Sequence, residues 1–214
     1  MRGSLCIFFL FAVQCCVSAQ LRFDTDIRIG RSTVKQIWIF NGRALPFKYD
    51  GAFSYGADAK IGYEFKHGVG LYSGVSYDKI RYYAAIRKYH NVPGEGAIEY
   101  TKGKYPHSSD FVTIPLRLEY RFCHNIIRPY VGYGVSFQVH HASNITDDME
   151  CKGDYEFQRN IVIPTLMFGI DFEYKRFILG FGRRKDQKYF WKEEYCIYEW
   201  TASQNTVRLG YRIF

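Results

Sequence analysis

FVTIPLRLEYRF, residues 111–122, is the stretch that decides the fold. Every second residue from Val112 is apolar (Val112, Ile114, Leu116, Leu118, Tyr120, Phe122), and the alternate set runs Thr113, Pro115, Arg117, Glu119, Arg121. Only an extended strand has a side-chain period of two. A bilayer imposes this division on a barrel wall, with hydrocarbon against one face and a polar lumen against the other. The crossing takes about 9–11 residues.

The same two-faced pattern recurs along the chain. Phe23, Thr25, Ile27 and Ile29 alternate with Asp24, Asp26 and Arg28, and residues 53–65 alternate aromatic or aliphatic groups with Asp58, Lys60 and Glu64. Val69 to Tyr77 continues at period two, then slips by one residue near Lys79 into Ile80, Tyr82, Ala84 and Ile86, which predicts a β-bulge. Further strands begin at Phe111, at Tyr130-Val131, at Val162, at Phe177 and near Val207, with Asp171, Glu173, Arg208 and Arg212 on their polar faces. The connections alternate. Tight turns at residues 66–68, 123–127 and 175–176 are interleaved with long segments at 41–51, 88–110, 142–158 and 185–198 that read as loops.

The expectation is therefore an all-β protein, an eight-stranded antiparallel up-and-down transmembrane β-barrel with short turns at the periplasmic end and long loops outside. Composition agrees. Hydrophobic residues make up 47% of the chain while mean hydropathy is only −0.26, so the apolar content is dispersed by alternation and not gathered into a spanning helix. Aromatics at 19% suit strands and interfacial girdles. Residues 1–19 read as a signal peptide, with Arg2 before an apolar run and Val17-Ser18-Ala19 as the cleavage signal. A lipidated Cys15 or Cys16 is the competing reading. Residues 20–214 then form one barrel domain directed to the cell outer membrane.

Several segments resemble the outer-membrane β-barrel domain proteins of Bacteroidota, the PorT-like family: DFVTIPLRLEYRF at 110–122, RPYVGYG at 128–134 and the closing LGYRIF at 209–214. The resemblance implies an outer-membrane location and insertion by barrel-assembly machinery that reads the C-terminal aromatic signature. It implies no activity.

Ten charged residues are expected in the lumen: Asp58, Lys60, Glu64, Arg117, Glu119, Arg121, Asp171, Glu173, Arg208 and Arg212. They could line a pore, but an interior of eight strands is just wide enough to be filled by side chains, which favours a self-neutralising ion-pair plug. The net charge of +8 and the cluster Arg183-Arg184-Lys185 with Lys188 suit rim positions against outer-membrane lipid and lipopolysaccharide. No nucleic-acid-binding motif accompanies the charge. His141-Ala142-Ser143-Asn144 resembles the H-x-S-N motif of outer-membrane lipid A deacylases. That resemblance implies His141 as base and Ser143 as nucleophile, with Glu150 or Glu156 orienting the imidazole. The motif stands about 70 residues from the C-terminus here, unlike the deacylases, so a solvated loop histidine is the favoured reading. Cys151 and Cys196 fall in outer loops at one end and are expected to form a disulfide, with Cys123 free. No cysteine pair has metal-ligand spacing, and no cofactor is expected. The function that follows is non-enzymatic, structural, adhesive or assembly-related, with specificity in the outer loops and an unidentified extracellular or periplasmic protein partner. A lipid A deacylase and a narrow solute channel are the alternatives.

Overall fold

The computed structural model describes residues 20–40, 43–86, 103–122, 126–143, 162–187, 189–193 and 196–214. The signal-peptide expectation for residues 1–19 lies outside them. Ten antiparallel strands form one sheet that closes on itself: β1 Gln20–Phe40, β2 Arg43–Gly51, β3 Phe53–Glu64, β4 Val69–Ile86, β5 Gly103–Tyr120, β6 Ile127–Ser143, β7 Val162–Tyr174, β8 Phe177–Asp186, β9 Tyr189–Glu193 and β10 Cys196–Arg212. They make eight staves. β2 and β3 both pair with β1 and are parted only by Ala52, while β8 and β9 both pair with β10. β1 and β10 seal the wall, from Asp24 opposite Arg212 up to Phe40 opposite Cys196. The seal runs to the last residue, where Phe23 N–H donates to the Phe214 carbonyl at 3.0 Å and the two rings stack.

Alternation is obeyed throughout the belt. Ile114, Leu116, Leu118 and Tyr120 are exposed while Thr113, Arg117, Glu119 and Arg121 are buried. The exposed large apolar residues cover the outer wall and the charges are within, the reverse of a soluble barrel. Water against such a wall would solvate a very large apolar patch, so hydrocarbon is its medium. The short turns fit their residues. Gly68 takes φ 81° in the turn before β4, and Lys175 takes φ 58° in the two-residue link between β7 and β8.

Four sequence expectations are corrected. Residues 43–51, expected as loop, form β2 and pair with β1. β5 begins at Gly103, eight residues before the expected start, and pairs with the upper part of β4. Of residues 185–198, most lie in β8, β9 and β10, and Cys196 sits in β10 opposite Phe40. The expected bulge at Lys79 is absent, since β4 keeps register with β3 and β5 through that point, and the ladder shifts at Asp110/Phe111 between β5 and β6. These errors share one cause. Higher up the wall continues, but its inner face turns apolar (Val34, Ile80, Phe111, Ile163, Trp200 and Ala202 are buried there) and the outer faces of β1, β4 and β8 turn polar. A pattern read as lipid-out, charge-in breaks where the faces exchange character.

Candidate functional site

The inward positions of all eight staves converge on the lumen, and charged side chains stack through it. At the short-turn end, Glu64 bonds Arg22 at 2.5 Å and Arg121 at 2.6 Å, and Arg212 reaches Asp24 at 3.1 Å and Glu173. Arg128 is the hub of this layer. Its guanidinium meets Glu173 at 2.8 Å, the Tyr72 hydroxyl at 3.1 Å, Asp24 at 3.5 Å, and Glu119. One layer up, Arg117 and Arg208 grip Asp171 from opposite sides, Arg117 also reaches Glu119 at 2.7 Å, and Lys60 meets Asp26 at 3.2 Å. The Tyr130 ring lies between the two guanidiniums, 3.3 Å from that of Arg117 and 4.5 Å from that of Arg208. Gly169 and Gly182 make the room, because a Cβ at either would run into the Tyr130 hydroxyl.

Higher still, Arg28 binds Asp58 at 2.8 Å and Asp78 at 3.0 Å. Arg184 binds Asp186 at 2.8 Å, Asp78, and the Ser136 hydroxyl at 2.9 Å. A row of hydroxyls, Thr113, Ser136 and Thr165, continues from there to Asp186 through contacts of 2.8, 2.6 and 2.9 Å. The ion pairs of the described lumen join nine carboxylates (Asp24, Asp26, Asp58, Glu64, Asp78, Glu119, Asp171, Glu173, Asp186) to nine cations (Arg22, Arg28, Lys60, Arg117, Arg121, Arg128, Arg184, Arg208, Arg212). The column is therefore neutral, which is what lets so many charges leave water together.

Above the charges lies the apolar layer, with Phe111 and Trp200 rings 5.8 Å apart. Within the charged column itself, among Arg28, Lys60, Arg117, Arg184, Arg208 and Gln204, is a void of about 30 Å³. The Gln204 side-chain amide has no hydrogen-bond partner there among the described residues, and a void of this size with polar walls suits a single water. The larger hollow, about 820 Å³, is a furrow of the lipid-facing wall lined by Ile27, Leu179, Leu209 and Tyr211.

At the outer mouth Tyr82 stacks on His107 at 5.2 Å, His107 faces His141 at 6.0 Å, and His141 Nδ1 hydrogen-bonds the Ser109 hydroxyl at 2.9 Å. These histidines lie beyond the apolar belt, which on β6 ends at Val139. Burial first, then the neighbouring His107 and His140, push His141 down to about 4, and burial lowers His107. Both imidazoles are neutral at pH 7. Among the described residues no three His, Cys, Asp or Glu side chains are grouped as metal ligands.

All ten residues expected in the lumen point into it and take part in the stack. Of the expected H-x-S-N group, His141 is partnered by Ser109, while Glu150, Glu156 and the Ser143 side chain lie outside the described residues. Cys151 and Cys123 also lie outside them. The run Arg183-Arg184-Lys185, expected to act as one outer cluster, is split by strand alternation: Arg184 is buried in the lumen, and Arg183 and Lys185 are exposed on the wall. Sequence reasoning missed Arg22, Asp24, Asp26, Arg28, Asp78, Arg128, Arg184 and Asp186. Most were within reach, because counting by twos from Ile178 lands on Arg184 and Asp186, and the polar face of β1 carries Asp24, Asp26 and Arg28. Counting back by two from the inward Tyr130 also lands on Arg128, at the edge of a turn before Pro129.

Fold and lumen together define the class: an outer-membrane-type, eight-stave β-barrel with a filled interior. Its sequence matches no family model and no curated protein. Among solved structures it is similar to the attachment invasion locus protein Ail of Yersinia pestis in complex with the heparin analogue sucrose octasulfate (13% identity over 89% of this chain and 99% of that one, TM-score 0.39). It is likewise similar to Neisserial surface protein A (12%, 86% and 96%, TM-score 0.42) and to the outer membrane protease OmpT of Escherichia coli (8%, 90% and 97%, TM-score 0.46).

Proposed function

We propose that this chain is a non-enzymatic integral outer-membrane protein of the PorT-like kind, exported behind residues 1–19, which acts from its outer face and loops as a structural, adhesive or assembly component. Its partners are outer-membrane lipid and lipopolysaccharide, the barrel-insertion machinery, and an extracellular or periplasmic protein not yet identified. One observation carries the reading. The lumen is occupied by a neutral column of ion pairs under an apolar layer, and the void of about 30 Å³ within that column has room for about one water. Charges committed to one another in this way are unavailable to a passing solute. Planar-bilayer recording of the purified barrel tests this: the proposal expects a silent membrane, and steady ohmic steps would overturn it.

One observation favours the deacylase alternative, the 2.9 Å contact between a neutral His141 and the Ser109 hydroxyl. Against it, Ser109 is 1% exposed and shares its hydroxyl with Gln138. Lipid A acylation compared between cells with the wild-type protein, with His141→Ala and with none separates the two. The non-enzymatic reading expects identical acyl patterns.

A further inference from the structure

The lumen uses up its own charge, but a second set of cations faces the other way. On β8 the outward apolar row Phe177, Leu179, Phe181 is followed by Arg183 and Lys185. On β1 the outward row Ile27, Ile29 is followed by Arg31, Thr33 and Lys35. Sequence separates the two pairs by about 150 residues; the sheet makes them neighbours. Arg31 lies opposite Asn205 and Asn205 opposite Arg183, while Thr33 lies opposite Ser203 and Ser203 opposite Lys185. Only the width of β10 parts the two basic strands, about 10 Å at the Cα level.

Three features single this patch out. All four side chains are exposed, and none makes an ion pair among the described residues, whereas the lumen charges are fully paired. It begins one step above the last lipid-facing apolar residues, Ile29, Val207 and Phe181, on the long-loop side of the wall. It also differs from the other outward cations at this height: on β4, Lys79 pairs with Asp110 at 3.3 Å and Arg81 lies over the Tyr55 ring, while the outward faces of β6 and β7 carry Phe137, Val139, Pro164 and Val162. Unpaired like charges held side by side on a rigid sheet repel unless an anion sits among them.

Resting on the outer-membrane placement above, we propose that Arg31, Lys35, Arg183 and Lys185 form a lateral clasp for the phosphates of an outer-leaflet glycolipid, the bis-phosphorylated diglucosamine of lipid A. Its acyl chains lie down the apolar wall below, and the Ser203 hydroxyl and Asn205 amide between the two basic strands supply neutral hydrogen bonds. The arginines offer bidentate forks and the lysines point charges to the phosphate oxygens.

The test is titration of the folded full-length protein in detergent with bis-phosphorylated lipid A, with the same lipid enzymatically dephosphorylated, and with inorganic phosphate. Binding is read by thermophoresis and folding by band shift on unheated gels. At about 1 kcal/mol per cation, Arg183→Gln/Lys185→Gln and Arg31→Gln/Lys35→Gln are each expected to weaken lipid A binding by roughly tenfold or more while leaving the folded band intact. Lys175→Gln/Arg176→Gln, at the opposite rim, is expected to change nothing. Equal affinity for the phosphorylated and dephosphorylated lipids, equal binding by wild type and clasp variants, or an equal loss in the opposite-rim variant would overturn the clasp. Inorganic phosphate binding as tightly as lipid A would overturn the lipid as its occupant. Bilayer recording on the same preparations keeps the two questions apart, since a conducting lumen would defeat the sealed-barrel reading whatever the lipid result.

Discussion

Arg128→Leu is the sharpest perturbation of the lumen. Arg128 is 1% exposed and its guanidinium serves Glu119, Glu173, Asp24 and the Tyr72 hydroxyl. Leucine fills part of the space but leaves nine lumen carboxylates facing eight cations. Glu173 retains Arg121 and Arg212, Asp24 retains Arg212, and Glu119 retains Arg117 at 2.7 Å, so the excess charge is shared. Breaking a buried pair from one side costs about 3–5 kcal/mol. Reversible urea unfolding in lipid vesicles, followed by gel band shift, gives the number. Arg128→Leu/Glu119→Leu removes the orphaned acid together with its base, and we expect it to recover about 2 kcal/mol relative to the sum of the single variants. Arg128→Lys keeps the charge without the fork and should fall between wild type and Arg128→Leu. A loss under about 1 kcal/mol for Arg128→Leu, or strict additivity in the double variant, would refute the view that the column acts as one charge-balanced unit.

Leu116→Arg, at an outward position near mid-belt, should destabilise the barrel in vesicles by about 2–4 kcal/mol as measured by the same unfolding assay. Gly182→Ala should cost about 1–3 kcal/mol through the clash of its new methyl with the Tyr130 hydroxyl, and Tyr130→Phe in the same chain should return part of that loss. For His141, whose folded value near 4 lies below the ordinary histidine value, the unfolded chain takes up its proton first as pH falls. Stability of the outer mouth should therefore be full above about pH 6.5, fall between 6.5 and 4, and level off below, by about 3 kcal/mol in all. Hydrogen exchange at the upper ends of β5 and β6 reads it, and His141→Phe should flatten the profile.

What was legible in the sequence followed from one physical fact, that hydrocarbon on one side enforces period two. Within the belt that rule placed Leu116 outside and Arg117 inside with no further information. Above the belt the enforcement stops. Ile80 and Tyr82 turn inward to cap the charges, and a reader following the apolar phase mistakes this exchange of faces for a bulge. β2 was hidden by Pro46, and β9 by a charged surround, because an extracellular hairpin has water on its outer face and needs no oily one. Of the lumen, single strands reveal which residues face in but not which meet. That Arg28 of β1 reaches Asp78 of β4, or that Arg31 and Arg183 flank one strand, depends on stagger between staves and only the closed sheet discloses it.

The wall of the barrel has lipid outside and paired charge inside. Nitroxide labels placed one at a time along residues 112–122 of the barrel in vesicles measure this directly. Oxygen, which concentrates in hydrocarbon, should broaden labels at 114, 116, 118 and 120 strongly and those at 113, 117, 119 and 121 weakly, with a water-soluble nickel reagent excluded from both sets. A helical period, or nickel access to the inward set, would contradict it.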